Sequence, residues 1–381
     1  MKVFDGHLHT FRFKVSVRES IDLLKRQFDR FGIEKGTFLS LPCDPVVGRT
    51  GLEITDRTDI IKAMYFKAVF KPNFYAYAGL EYKHLDITDK KAVADDLLRQ
   101  VAEYKKVGFD GMKMYEGHPN LRMTLKYALD DEVFDKYYDF CEKEGFPIIM
   151  HLVNPPYMWV EEMVAPYWRE RGCYFNPEIF PSFEDLHEEI LRRLEKNPKL
   201  KFTLAHWGFM TYNKPAMERF MAFENTMLDV CPGDDNFMQV QNDLEYWKPF
   251  IEKYADRITY GTDSYNFEYD NEENWFRATG MRPTLVQKFF TTSETFPYGN
   301  KVFTGINLDK EKVDKIFWQN LCDLLGEPHE IDFDWFINRC DELLKEVDPN
   351  SLDRYNLWCM KNDFITMKEK GELTYYKMLN R

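Results

Sequence analysis

Cysteine is sparse in this 381-residue chain. The seven residues Cys43, Cys141, Cys173, Cys231, Cys322, Cys340 and Cys359 are scattered, odd in number and without a CxxC pair. That argues against a disulfide framework or a cysteine-based zinc site, and a reducing compartment is expected. Long apolar runs are missing too: none approaches the ~18 residues of a membrane span. The opening MKVFDGHLHT has no apolar stretch of the signal-peptide kind and reads as a strand leading into a polar motif. A cytoplasmic location is the expectation. Positive charge is in deficit, with 51 Lys+Arg against 64 Asp+Glu and a formal net charge of −13. Nucleic acid and anionic membranes are therefore poor candidates as partners. No glycine-rich dinucleotide or phosphate loop follows the first strand, and there is neither an internal repeat nor a low-complexity tract.

What the chain does have is apolar and aromatic bulk. Hydrophobic residues make up 44%, enough for a large core, and 32 Phe, 22 Tyr and 8 Trp exceed what a core alone needs. Some should line a pocket. Eight short apolar runs read as strands: Lys2–Asp5, Gly36–Leu41, Phe74–Leu80, Gly111–Tyr115, Pro147–His151, Lys201–His206, Thr226–Val230 and Ile258–Thr262. Helix signals lie between them. Ser16 and Glu19 form a capping box, Ser182 opens another helix, and Gly32, Gly108 and Gly145 each stand where a helix should give way to a strand. Strands alternating with helices imply a parallel sheet, and eight units in under 300 residues imply an α/β fold of the closed (β/α)8 TIM-barrel type. A barrel over 1–326 with its closing helices, followed by a helical C-terminal extension over 327–381, is the expected organisation. The long segments after strands 2 and 5 fall on the catalytic face of such a barrel. The second is rich in Tyr and Trp, and reads equally as a pocket wall or as a loop with its own small core.

The histidines carry most of the functional signal. His7 and His9 lie at i and i+2 on strand 1, so both can face the barrel mouth. His151 ends strand 5, His206 ends strand 6 and Asp263 ends strand 8. Five metal-competent residues at the same end of four strands are hard to obtain by accident, although each alone would be unremarkable. His187 and His329 read as surface residues, and His84 and His118 follow strands without further support. Lys113 points inward by alternation on strand 4. It could be carbamylated between two metals, remain a cation for an acidic substrate, or pair with Asp5 or Glu81.

The ordered stretches Phe4-Asp-Gly-His-Leu-His9, Gly108-Phe-Asp-Gly-Met-Lys113, Ile149-Met-His151, Leu204-Ala-His206-Trp-Gly and Tyr260-Gly-Thr-Asp263-Ser resemble the amidohydrolase superfamily of metal-dependent TIM-barrel enzymes. The branch most similar contains aminocarboxymuconate-semialdehyde decarboxylase-like proteins. The resemblance covers about residues 1–326. It implies that His7, His9, His151 and Asp263 hold one divalent metal, and that His206 is the acid/base or polarising residue beside it. Three neutral imidazoles and a carboxylate suit Zn²⁺, with Mn²⁺ or Fe²⁺ also compatible. A second metal bridged by a carbamylated Lys113 stays open, with an uncarbamylated Lys113 at the barrel mouth as the expectation. Asp263 and His206 are the expected catalytic pair, and Lys113, Glu116, Asn154, Trp207 and Tyr265 the expected substrate contacts. Arg169, Arg171, Lys214, Arg277 and Arg282 are candidates for a substrate carboxylate. The expected activity is hydrolysis of a C–N or C–O bond in a small polar substrate. A decarboxylase or hydratase acting on an unsaturated carboxylic acid is the alternative, and a non-catalytic binding barrel a further one. Self-association into a homo-oligomer stays open.

Overall fold

The computed structural model describes residues 1–9, 15–43, 57–264 and 271–373. Eight strands follow one another in sequence and in space: β1 Val3–His9, β2 Ile33–Leu39, β3 Phe74–Ala78, β4 Gly111–Met114, β5 Ile148–Met150, β6 Phe202–Leu204, β7 Thr226–Asp229 and β8 Ile258–Thr259. Every neighbouring pair is parallel. The ring closes through Gly6 N–H to Tyr260 O at 2.9 Å and His9 N–H to Ser264 O at 2.8 Å. This is a TIM barrel, as the strand count implies.

Helix Val17–Phe31 starts on the Ser16/Glu19 capping box, and helix Phe183–Lys196 on that of Ser182 and Asp185. The strands depart from expectation at their ends. β2 begins at Ile33, directly after the helix, and β5, β6 and β8 stop before His151, His206 and Asp263. His206 and Asp263 have φ of 54° and 50°. A left-handed residue cannot continue a ladder, so His206 and Asp263 sit past the ends of their strands, whereas His7, His9 and Lys113 lie within theirs.

The main core fills the space between strands and helices, while Leu39, Tyr77, Ile149, Ala205 and Cys231 pack together as a small separate cluster. The C-terminal helices Phe333–Leu343 and Leu352–Lys370 bury Phe336, Cys340, Leu357 and Phe364 in the main core. Asp363 receives the Tyr65 hydroxyl at 2.8 Å and the Arg18 guanidinium. The tail thus packs on the outside of the barrel, against the helices after β1 and β2. Among the described residues no helix is long and apolar enough to cross a membrane.

Candidate metal centre

β1 brings His7 and His9 to the barrel mouth, and each ring is held by the nitrogen that faces away from it. His7 Nδ1 lies 2.5 Å from Asp229 Oδ2, and His9 Nδ1–H donates to Leu39 O at 2.9 Å. A shared acceptor logic follows. With the single proton of each neutral imidazole on Nδ1, each Nε2 carries a lone pair, and the two face one another at 3.1 Å. Burial pushes the His7 and His9 imidazoles well below the usual histidine range, so both stay neutral. Asp263 Oδ1 lies 3.5 Å from His7 Nε2 and 3.4 Å from His9 Nε2. The three donor atoms form a triangle with edges of 3.1, 3.4 and 3.5 Å.

Asp229 was not among the residues singled out from the sequence. It closes β7 as the other site residues close theirs, so the same reading of strand ends could have found it. Gly261 makes its contact feasible, since a Cβ there would overlap Asp229 Oδ1 and crowd His7. Asp229→Asn is expected to lower divalent-metal affinity by roughly 10–100-fold, the cost of losing a partner that orients a ligating histidine. Titration with a competing chelator checks this, and unchanged affinity would refute the role.

Asp263 is fixed from two sides. Arg282 Nη1 donates to its carbonyl and, at 2.5 Å, to its Oδ2, leaving Oδ1 toward the imidazoles. Asp5 accepts the Thr262 hydroxyl at 2.6 Å and the His7 N–H at 3.0 Å, tying the end of β8 to β1. Of the five cations considered for a substrate carboxylate, only Arg282 lines the cavity. Arg169 and Arg171 stay on the exposed loop after β5, Lys214 pairs with Asp243, and Arg277 bonds Asn274.

His206 begins a run of four left-handed residues, with φ of 54°, 55°, 59° and 51° through Phe209. Three of them are not glycine, at about 1–2 kcal/mol each. Specific bonds offset that cost: His206 N–H to Cys231 Sγ at 3.3 Å, Asn236 Nδ2 to His206 O at 2.9 Å, and His187 Nε2 to Gly208 O at 2.9 Å. His187 is therefore no surface residue but a fully buried strut. Its spacing in an amphipathic helix could not show that a turn from another strand lies beneath it. His329 is exposed yet docked, with Nδ1 2.6 Å from Phe109 O.

His151 does not join the His7–His9–Asp263 triad. Its Nε2 is turned to Asn154 Oδ1 at 3.0 Å, and Asn154 Nδ2 reaches His118 Nε2 at 2.9 Å. The ring of His151 stands 4.9 Å from that of His206. Lys113 does point inward, with Nζ 3.4 Å from His7 Nε2. Neither proposed ion-pair partner meets it, because Asp5 is spent on Thr262 and His7, and Glu81 on Arg339. Burial lowers the Lys113 ammonium from its ordinary range.

A cavity of about 490 Å³ opens over these groups, lined by Lys113, His118, His151, Asn154, His206, Asp263 and Arg282 among others. The loop after β5 contributes Pro155, Tyr157, Met158 and Trp168 to its wall, and also packs Met158, Val164, Cys173 and Phe175 into a small core of its own. Both readings of that loop hold. Trp207 and Glu116, expected as pocket walls, stand behind it. Trp207 is fully buried near Trp247, and Glu116 is buried against the Tyr82 hydroxyl at 2.9 Å. Tyr265 lies outside the described residues.

Residues 82–326 match a protein family described as amidohydrolase. The chain belongs to that family. Amidohydrolases are enzymes, and the barrel with its clustered histidines is what the ordered motifs of the sequence imply. No curated protein matches the chain at a significant level. Among solved structures, 4-oxalomesaconate hydratase from Rhodopseudomonas palustris is 14% identical, with 90% of this chain and 98% of that chain covered and a TM-score of 0.48. An amidohydrolase from Burkholderia multivorans with bound zinc is 10% identical, covering 86% of this chain and 100% of that one, with a TM-score of 0.47. The manganese complex of 5-carboxyvanillate decarboxylase from Novosphingobium aromaticivorans is 14% identical, with 85% and 95% covered and a TM-score of 0.44.

Proposed function

We propose that this amidohydrolase is a metal-dependent hydrolase that cleaves a C–N or C–O bond of a small polar substrate. One divalent ion, Zn²⁺ by the chemistry of the donors, is held by His7, His9, His151 and Asp263. The observation that carries this reading is the donor triangle. Edges of 3.1–3.5 Å between His7 Nε2, His9 Nε2 and Asp263 Oδ1 fit the roughly 3.3 Å edge of a tetrahedron with bonds of ~2.0–2.1 Å. His151 stands outside that triangle with its Nε2 held by Asn154, and would have to turn toward the triangle to serve as the fourth donor. When bound, the ion supplies Lewis-acid chemistry that activates water at neutral pH.

The chain's own groups do the rest. Asp263 would take the proton of the activated water on a carboxylate lone pair not directed at the ion, with Arg282 holding Oδ2 in place. Burial lowers His206 to about 3, so it acts as a neutral imidazole. With Nδ1 facing Cys231 Sγ at 3.3 Å, Nε2 is the atom that steadies a developing oxyanion, or that takes up the proton released by water and hands it on to the leaving group. Lys113, uncarbamylated, meets an acidic group of the substrate.

One observation favours a second reading, a decarboxylase or hydratase acting on an unsaturated acid. Lys113 lines the cavity together with Arg282, which is paired with Asp263, and Lys301, which is paired with Asp235, so a carboxylate entering it would meet positive charge. Metal analysis of the purified protein, followed by a substrate-library screen that scores released CO2 against released amine, ammonia or acid, separates the two. Metal-free protein with full turnover would refute both.

Lys113→Met preserves bulk and removes the charge. The expected result is retained metal with a raised KM for acidic substrates and little change for neutral ones. A second ion in the wild-type protein that vanishes in this variant, together with bicarbonate-dependent activity, would instead establish a carbamate-bridged pair.

A further inference from the structure

Cys231 has no part in the chemistry above, yet it stands at the centre of the site. It follows β7 as His206 follows β6, is fully buried, and places Sγ 3.3 Å from His206 Nδ1. Ligand atoms of His7, His206 and Cys231 all lie within 4.8 Å of one another, as do those of His7, His9 and Asp263. His7 belongs to both groups. Its Nδ1 is committed to Asp229, so the same Nε2 must serve either triad.

We propose that the barrel mouth carries a second, thiolate-containing cation position formed by His7, His206 and Cys231, which takes thiophilic divalent ions. The donor chemistry supports this. Two imidazoles and a sulfur suit soft or borderline ions, whereas two imidazoles and a carboxylate also accept Mn²⁺. The 3.3 Å separation of Sγ and Nδ1 is close to the roughly 3.6 Å edge expected for a tetrahedral ion with one bond of ~2.3 Å to sulfur and one of ~2.0–2.1 Å to nitrogen. A neighbouring cation deprotonates a coordinating thiol outright, so binding there releases the Cys231 proton to solvent. Because one lone pair cannot serve two ions, the two positions exclude one another. An ion on the sulfur side occupies His206 Nδ1 and fixes the ring proton on Nε2, which leaves that atom a donor that cannot accept a proton. The spacing of the cysteines along the chain gave no sign of this site, since its members come from three strands.

The proposal shares only His7 with the metal-centre reading, and the test keeps the two apart. Metal-free full-length protein is titrated with Cd²⁺ and, separately, with Mn²⁺, following ultraviolet thiolate-to-cadmium charge transfer and ion stoichiometry. Cd²⁺ should bind at one per chain with the charge-transfer band. Cys231→Ser should lose the band and lower Cd²⁺ affinity by more than the ~10–100-fold that loss of a mere supporting partner costs, leaving Mn²⁺ affinity unchanged. Asp263→Asn should weaken Mn²⁺ and keep the Cd²⁺ band. Cd²⁺ bound without the band overturns the thiolate site in the wild-type protein itself, whether or not the variant folds. Mn²⁺ and Cd²⁺ bound together overturn the sharing of His7. Mn²⁺ binding that survives Asp263→Asn sinks the carboxylate-side centre while the cadmium result stands, and failure of every ion to bind overturns both.

Discussion

Replacing His7 and His9 together by alanine is expected to abolish stoichiometric divalent-metal binding and, with it, turnover. Two of the three atoms of the donor triangle disappear, and Asp263 Oδ1 with His151 alone is too small a donor set to hold an ion stoichiometrically. His7 also ends the chain of contacts from Asp229, so its loss leaves a buried carboxylate facing empty space. The fold should persist, because β1 keeps its ladder with β2 and its backbone bonds to Tyr260 and Ser264. Elemental analysis beside circular dichroism checks the expectation. A folded double variant that retains one ion per chain would place the metal elsewhere.

The second large effect concerns His206. His206→Asn should retain most of the metal and lose roughly 10²–10⁴ in rate, the scale of general acid–base catalysis. Asparagine keeps a polar side chain and tolerates the left-handed backbone better than most residues, so the turn to Phe209 should survive. The loss should fall on kcat rather than KM, measured on whichever substrate the screen returns. If the variant instead loses its only ion, His206 is a ligand at the operative centre and the carboxylate-side assignment fails.

Much of this was legible in the sequence because barrel strands report their own ends. The runs of strands 5, 6 and 8 lead into His151, His206 and Asp263, and in a parallel barrel such ends meet at one mouth with those of strand 1. His7, His9 and Asp263 converge for that reason, and the inward direction of Lys113 follows from alternation alone. Motif order was sufficient to indicate the amidohydrolase family. Asp229 was open to the same reading and was passed over only because a lone aspartate in Thr-Met-Leu-Asp carries no motif.

Other features arise only when separate segments meet. Asn236 and His187 are distant in sequence from the left-handed turn they hold, and no local pattern announces a bond to a carbonyl from another strand. Arg282 is attached to Asp263 because a helix folds back over β8, which its sequence position does not specify. Trp207 and Glu116 adjoin site residues in the chain yet face away from the cavity, because a left-handed turn after β6 and a buried hydroxyl beside β4 direct them there. His151 is turned toward Asn154 by an amide three residues on. By itself, the sequence determined the barrel, its catalytic end and the residue types that gather there, since those depend on strand period and strand order. Which nitrogen of each histidine faces the site, which carboxylate oxygen faces inward and which cysteine lies beside the acid–base residue were decided by the tertiary structure, because hydrogen bonds between different strands and helices set them.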